Sequence, residues 1–336
     1  MTAGSTIPFV CPACRSPVMA RDGAYACASC DRLFPILFGM PDFRLRGDLY
    51  LPLEEERAKA ARLHAFAEQH DFRELVAFYY SITDDVPKRL ASLFADYALN
   101  APARAAPAIH ALSRGRRDGA LLDLGCGSGG ALVAAEGLFH DRTGVDVALR
   151  WLVIARKRLD EAGVPARLVC ADAEALPFAE SSFTHVLAAD LLENTRSPAA
   201  AVRSAAAVLK DGGFMVVTSS NRRWIGPHPA TGVWAAGLLP RRVRAALLRR
   251  RHGVDILRAV SFVSPRSVRR IAEAAGLHQL CAQPLRFDAS RLEHRSPVFR
   301  AVARIYAMLA KAPLFRTLLL VAGPVFQSMF VKERTK

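Results

Sequence analysis

No acidic residue occurs between Asp211 and Asp255, and the last third of this 336-residue chain has few anywhere. Residues 222–336 hold 22 Lys and Arg against 5 Asp and Glu, a balance of +17. Residues 1–118 sum to +1 and residues 119–221 to −3, so the net charge of +15 has a single source. Lysine is also scarce, at 7 of the 46 basic residues. With abundant alanine, that bias partly reflects GC-rich coding, so the distribution of charge is more informative than its total. Long apolar runs are missing as well. The longest near the end, residues 317–331, is interrupted by Gly323, Pro324, Gln327 and Ser328. It falls short of the ~18–20 residues a spanning helix requires. Residues 1–20 lack the basic start and apolar stretch of a secretory leader. These absences predict a cytoplasmic protein, at most peripheral to the inner face of a membrane. Seven cysteines, an odd number, argue against a disulfide framework.

Four of those cysteines form a pattern. CPAC at 11–14 and CASC at 27–30 are two C-x2-C knuckles separated by twelve residues. Such knuckles can present Cys11, Cys14, Cys27 and Cys30 tetrahedrally to one Zn2+. A 45-residue segment has too small a core to fold alone, which makes a metal staple physically sensible. A redox C-x-x-C pair would open a helix in a βαβ unit, and none is present here. Residues 1–45 are therefore expected to be a small zinc ribbon whose closed site supplies shape, not catalysis. Cys126, Cys170 and Cys281 fall singly in apolar surroundings.

Residues 46–118 read as a helical connector. Helical spacing runs through 54–70, 72–80 and 88–99, punctuated by Pro87, Pro102 and Pro107. These helices either pack on the next domain or cap its active site, with Phe78, Tyr79 and Tyr80 as the residues that would then meet substrate.

From Ala120 onward short apolar strands alternate with helices: 120–127, 142–148, 166–173, 182–190 and the segment beginning at Gly213 read as strands. Ser197 and Pro198 open one intervening helix, and Gly212 and Gly213 are expected to end it. Repeated βα units of this length predict a parallel sheet covered on both faces. Gly125, Gly127 and Gly130 fit the dinucleotide fingerprint G-x-G-x-x-G, a weak signal alone. Three features, Asp123, the alternating glycines and Asp172, turn the reading toward S-adenosylmethionine, whereas Asp146 is shared with dinucleotide binders and does not discriminate. Asp123 lies inside the first strand, where a nicotinamide site is usually apolar, and can reach the amino end of a bound methionine. Gly125, Gly127 and Gly129 alternate so that the main chain can approach the cofactor. Asp146 ends the second strand with two oxygens suited to ribose hydroxyls, and Asp172 after the third can accept the adenine amine.

LLDLGCGSGG, TGVDVA, ADAEALPFAESSFTHVLAADLLEN and LKDGGFMVVTSSN resemble the motifs of class I S-adenosylmethionine-dependent methyltransferases of the ubiquinone-biosynthesis-like group. The resemblance is tight over 119–221 and loose beyond. It implies a Rossmann-like seven-stranded α/β sheet and cofactor contacts at Asp123, Gly125, Gly127, Asp146, Asp172, Ala173 and Asp190. FPILFGMPDF at 34–43 resembles the end of the zinc ribbon in activator subunits of tRNA methyltransferases. Many relatives carry a histidine pair after the fourth strand, where this chain has Leu192, Glu193 and Asn194. Glu193 is a candidate for a general base, and His228 is a candidate for a catalytic role on the acceptor side. Displacement at a sulfonium can also proceed by alignment and exclusion of water.

The domain expected over 119–336 carries two substrate-side insertions. Residues 222–262 include Trp224, Trp234 and six arginines within 241–251. The region 222–252 could rest on anionic lipid, hold RNA phosphates, or be a solvated arginine face. Residues 288–324 are apolar and helical, either core packing or a wall around a hydrophobic acceptor. Residues 277–287 and 325–333 read as a closing antiparallel hairpin. The expectation is methyl transfer to an O, N or C nucleophile of a small, apolar molecule. Alternatives are an RNA methyltransferase, although no Asn-Pro-Pro-Tyr-like motif follows the fourth strand, and a non-catalytic scaffold. Acceptor identity and oligomeric state stay open.

Overall fold

A computed structural model describes residues 7–84, 86–115, 118–228, 231–285, 297–310 and 312–333. Part of the second expected insertion, 288–296, lies outside them. The ribbon comprises β1 (Met19–Arg21), β2 (Ala24–Ala26), β3 (Leu33–Leu37) and β4 (Met40–Pro41), antiparallel in that order. Asp22 and Gly23, both at positive φ, form the two-residue turn that joins paired Arg21 and Ala24.

The ribbon shares its core with the main sheet. Phe43 is fully buried and lies 4.8–5.4 Å, centroid to centroid, from the rings of Phe9, Tyr25 and Phe34. Phe9 in turn meets Phe178 at 5.7 Å. Asp42 pairs in parallel with Cys170, and the Phe43 amide donates to the Cys170 carbonyl at 2.7 Å. Arg15 donates to the carbonyls of Leu176 and Phe178, both at 2.7 Å. Covering a strand edge in this way removes a site for stray pairing.

The connector forms α1 (Leu53–Ala67), α2 (Phe72–Ser81), α3 (Lys88–Leu99) and α4 (Ala101–Ser113). Asp71 and Glu74 close a reciprocal capping box on α2. Proline breaks the connector less than the sequence predicts, because Pro102 sits in the first turn of α4 and Pro107 inside it. Complete burial of Ile109 and Leu112 on that helix offsets the lost hydrogen bond.

The main sheet is built from β5 (Ala120–Leu124), β6 (Asp141–Asp146), β7 (Arg167–Cys170), β8 (Phe183–Ala189), β9 (Leu209–Ser220), β10 (Leu277–Pro284) and β11 (Val325–Lys332). Its order is β10-β11-β9-β8-β5-β6-β7, with β11 antiparallel to both neighbours and the others joined in parallel. Helices α5 (Gly130–Ala134), α6 (Leu149–Ala162), α7 (Pro198–Val208) and α9 (Pro265–Glu273) flank it; α8 (Arg241–His252) lies in the insertion between β9 and β10. Alternation sorts the strand side chains onto two faces. Leu121, Leu187 and Val216 pack toward α4 and α5, and Leu122, Val186 and Met215 join the core beneath α7 and α9.

One boundary differs from expectation. α7 stops at Val208, and β9 begins at Leu209 and runs through Gly212 and Gly213. Leu209 leaves helical geometry and pairs with Phe183, so burial of both side chains ends the helix before the glycines are reached. Between β10 and β11 stand α10 (Pro297–Leu309) and α11 (Pro313–Ala322). Among their described side chains Leu320 packs against the core, whereas Ile305, Met308, Phe315, Leu318 and Val321 are exposed, more than their apolarity suggests. Cys281 is likewise exposed, whereas Cys126 and Cys170 are buried.

Candidate functional site

At the carboxyl end of β5 the chain turns sharply and is pinned to its neighbour. The amides of Gly125 and Cys126 both donate to the Val145 carbonyl, at 2.8 and 3.0 Å. Gly125, Gly127 and Gly129 have φ of 78°, 48° and 73°, a region L side chains avoid. A Cβ on Gly125 would lie 2.8 Å from Leu191 Cδ1, and one on Gly130 would lie 2.4 Å from Ala101 Cβ. At Gly127 it would meet nothing within 4 Å. The open side of the loop is therefore at Gly127.

Three acids lie in or just after the neighbouring strands β5, β6 and β7, and Asp146 contacts the loop itself. Asp123 is 2% exposed, and its Oδ2 has no hydrogen-bond partner. Burial, reinforced by the nearby Asp146 charge, pushes its carboxyl up to about 7. Asp146 accepts from the Gly127 and Ala148 amides, each at 2.9 Å, so the acid ending β6 also sets the loop conformation. Burial pushes this carboxyl up, and those two amides oppose the effect. Asp172 accepts from the Glu174 amide at 3.0 Å and has Arg196 4.0 Å away, with Ala173 buried beside it.

Asp190 completes the rim from the end of β8, with a left-handed φ of 52°. The Tyr97 hydroxyl of α3 donates to its Oδ2 at 2.6 Å, and the Arg104 guanidinium of α4 lies 3.1 Å above the Tyr97 ring centroid. Connector residues thus reach the site, although different ones from those expected. Tyr79 is buried against Trp151, while Phe78 stacks on Phe66 and Tyr80 on Phe94. Arg158 of α6 ties the end of α3 to the glycine loop. It donates to the Ala98 and Leu99 carbonyls at the end of α3 and reaches Ser128 Oγ of the glycine loop. Burial lowers its guanidinium to about 10, still charged at neutral pH.

A buried ion network lies one residue beyond Asp146. Arg44 binds Asp42 through two contacts of 2.7 Å and Glu56 at 2.8 Å, and donates to the Val147 carbonyl at 3.1 Å. Glu56 also meets Arg150, which pairs with Asp48 at 2.6 Å. The ribbon-to-connector joint is thereby bolted to the start of α6. Nothing in the sequence distinguishes Arg44, Glu56, Arg150, Tyr97 or Arg158 from surface residues; only the fold brings them here.

The two catalytic candidates differ. Glu193 accepts from Ser219 Oγ at 2.6 Å and the Ser220 amide at 3.1 Å, and burial raises its carboxyl to about 7. Those bonds direct it toward β9. His228 lines a small crevice with Asn221, Trp224, Gly237, Phe262 and Pro324. Burial, aided by the Arg244 charge, lowers it to about 4, so it is neutral at pH 7. In the ribbon the sulfur atoms of Cys11, Cys14, Cys27 and Cys30 all lie within 4.8 Å of one another. The pairs 11–30 and 14–27 are 3.6 and 3.4 Å apart, too far for a disulfide. They are close to the ~3.8 Å edge of a tetrahedron with Zn–S bonds of ~2.3 Å.

Residues 122–217 match the family model described as a methyltransferase domain. Over 102 residues the chain is 33% identical to a ubiquinone biosynthesis O-methyltransferase of Azorhizobium caulinodans, covering 30% of this chain and 40% of that protein. Over 127 residues it is 31% identical to the ubiquinone/menaquinone biosynthesis C-methyltransferase UbiE of Coxiella burnetii, covering 36% and 51%. The chain thus spans about half or less of the length of these relatives. Among solved structures, phosphoethanolamine N-methyltransferase 2 of Haemonchus contortus aligns at a TM-score of 0.45 and 19% identity, over 68% of this chain and 52% of that one. Residues 122–217 thus match a methyltransferase domain and lie in a seven-stranded sheet whose strand β11, outside the match, is antiparallel to its neighbours.

Proposed function

We propose that the protein transfers a methyl group from S-adenosylmethionine to an O, N or C nucleophile of a small, apolar molecule. The observation that carries this reading is the Asp123 carboxylate, buried and unpartnered at Oδ2 in the strand that runs into the glycine loop. A buried acceptor without a donor is costly, and an ammonium-bearing ligand would relieve it. Asp123 would accept from the methionine amine, Asp146 from the ribose, and Asp172 with Ala173 would border the adenine. Gly125, Gly127 and Gly129 would give the main chain its close approach, and Asp190 would close the rim. Once bound, the cofactor supplies a sulfonium methyl for in-line displacement. Tyr97, Arg104 and Leu191 exclude water above the cleft. Glu193 remains a candidate for accepting a proton where the nucleophile carries one, and His228 for a role on the acceptor side.

Residues 1–45 act in this reading as a structural zinc ribbon, with all four positions closed by Cys11, Cys14, Cys27 and Cys30. Residues 46–118 form the cap, and 119–336 the catalytic domain with insertions on the substrate side. The relatives that act in quinone biosynthesis support an apolar acceptor.

Two measurements test the proposal. Calorimetry should show S-adenosylhomocysteine binding and no NADH binding; the reverse would end it. Methyl-labelled cofactor incubated with a cell extract should deliver label to the lipid-soluble fraction, whereas label confined to RNA would replace the acceptor class.

A further inference from the structure

Ten of the seventeen large apolar side chains exposed among the described residues lie in the two insertions of the last third. Ile225, Trp234, Leu238, Val243 and Leu247 stand out from the first insertion, between 43% and 67% exposed. Those of α10 and α11 range from 38% to 64%. The sheet places both groups at one end. Ser220, where the first insertion leaves β9, pairs with Val325, where the second rejoins the sheet. Asn221 Nδ2 donates to the carbonyls of Leu320 and Val321 at the end of α11, and its amide to Pro324. This is the carboxyl end of the parallel strands, the end that carries the glycine loop, Asp146 and Asp190.

Helix α8 shows how that face is composed. Its inner side buries Arg244, Ala245 and Leu248 over a small satellite core. Its outer side interleaves Val243 and Leu247 with Arg241, Arg242, Arg249 and Arg250, all exposed. No acid lies between Asp211 and Asp255 in sequence, and among the described residues none of these four arginines forms an ion pair. Exposed aliphatic side chains gain nothing from a nucleic-acid backbone, which rewards charge and stacking. Arginine interleaved with leucine, valine and tryptophan matches an interface having anionic headgroups above hydrocarbon.

We propose that this face, formed by the 222–252 segment with α10 and α11, docks on the surface of an anionic phospholipid bilayer. No helix among the described residues is long and apolar enough to cross one, so the contact is with the interface. Taken with the methyl-transfer reading, docking would turn the mouth of the cofactor cleft toward the lipid, and the acceptor would be an amphiphile drawn from it.

The test is flotation of the full chain with vesicles of phosphatidylcholine alone or mixed with phosphatidylglycerol. The chain should float only with the mixed vesicles. Arg249→Gln with Arg250→Gln should lower that affinity about 25-fold, roughly fivefold per charge. Leu247→Ser with Leu318→Ser, which leaves the charge untouched, should lower it at least about tenfold. Each variant is checked for unchanged S-adenosylhomocysteine binding. Absence of flotation with mixed vesicles would overturn the proposal. So would indifference to the leucine pair, or displacement from vesicles by homopolymer RNA at equal phosphate. Vesicle binding without cofactor binding would leave this inference standing and remove the methyltransferase reading.

Discussion

The hydroxyl of Tyr97 and the carboxylate of Asp190, 93 positions apart, meet at 2.6 Å and join the connector to the end of strand β8. A hydrogen bond to a charged acceptor contributes about 1.5–3 kcal/mol. Tyr97→Phe should therefore raise the dissociation rate of S-adenosylhomocysteine about tenfold while leaving the fold intact. Stopped-flow displacement measures the rate, and hydrogen exchange should show faster opening of residues 97–104 only. An unchanged rate would mean that α3 does not cover the cleft.

Asp123 gives a pH signature. Its folded pKa of about 7 lies above the ordinary carboxylate value, so between pH 4 and 7 the folded protein binds more protons than the unfolded chain. Its burial therefore costs the ligand-free protein stability progressively as pH rises through that window. A cationic amine prefers the ionised carboxylate, so cofactor affinity should rise between pH 6 and 8. Asp123→Asn should raise the melting temperature of the free protein at pH 8, flatten that pH dependence, and weaken binding about a hundredfold. Calorimetry across pH reads all three.

His228 predicts the opposite slope. Its folded pKa of about 4 lies below the ordinary histidine value, so the unfolded chain binds the extra proton. Stability attributable to this site is present above pH 6.5 and is lost as pH falls toward 4, by up to ~3 kcal/mol. His228→Gln should reduce the acid sensitivity of thermal unfolding over that range.

Removing metal should loosen the sheet edge as well as the ribbon. The first knuckle carries Arg15, which grips the Leu176 and Phe178 carbonyls, and the ribbon core is continuous with the sheet through Phe43. One zinc per chain is expected by elemental analysis. Chelation, or Cys11→Ser with Cys27→Ser, should expose Cys170 to thiol reagents that do not reach it in the intact protein. A metal-free chain with the same melting temperature would contradict this.

Arg44→Met should be among the most damaging single changes outside the cleft. It removes the cation that Asp42 and Glu56 share while Arg57 still meets Asp42 and Arg150 still meets Glu56, so the cost is expected near or below the ~3 kcal/mol of a fully unpaired buried charge. Denaturant titration measures the loss, and replacing Asp42 and Glu56 by Asn and Gln in the same chain should recover part of it.

The strands, the tight glycine turn and the clustering of the four cysteines are legible in sequence because each rests on local rules. A short apolar run bounded by turn residues marks a buried strand, positive φ favours glycine, and paired C-x2-C motifs offer sulfurs to one metal. The end of α7 was misread because glycine is a local stop signal, whereas Leu209 was captured by pairing with Phe183 across the sheet. The apolar helices α10 and α11 looked like core because composition cannot distinguish a side chain facing the interior from one left outside. Tyr97 at Asp190, Arg158 under Ser128 and Arg44 between Asp42 and Glu56 are contacts between residues whose types are common on any surface. Their pairing depends on how the connector lies across the sheet, and the packing of α1 to α4 decides that long-range geometry.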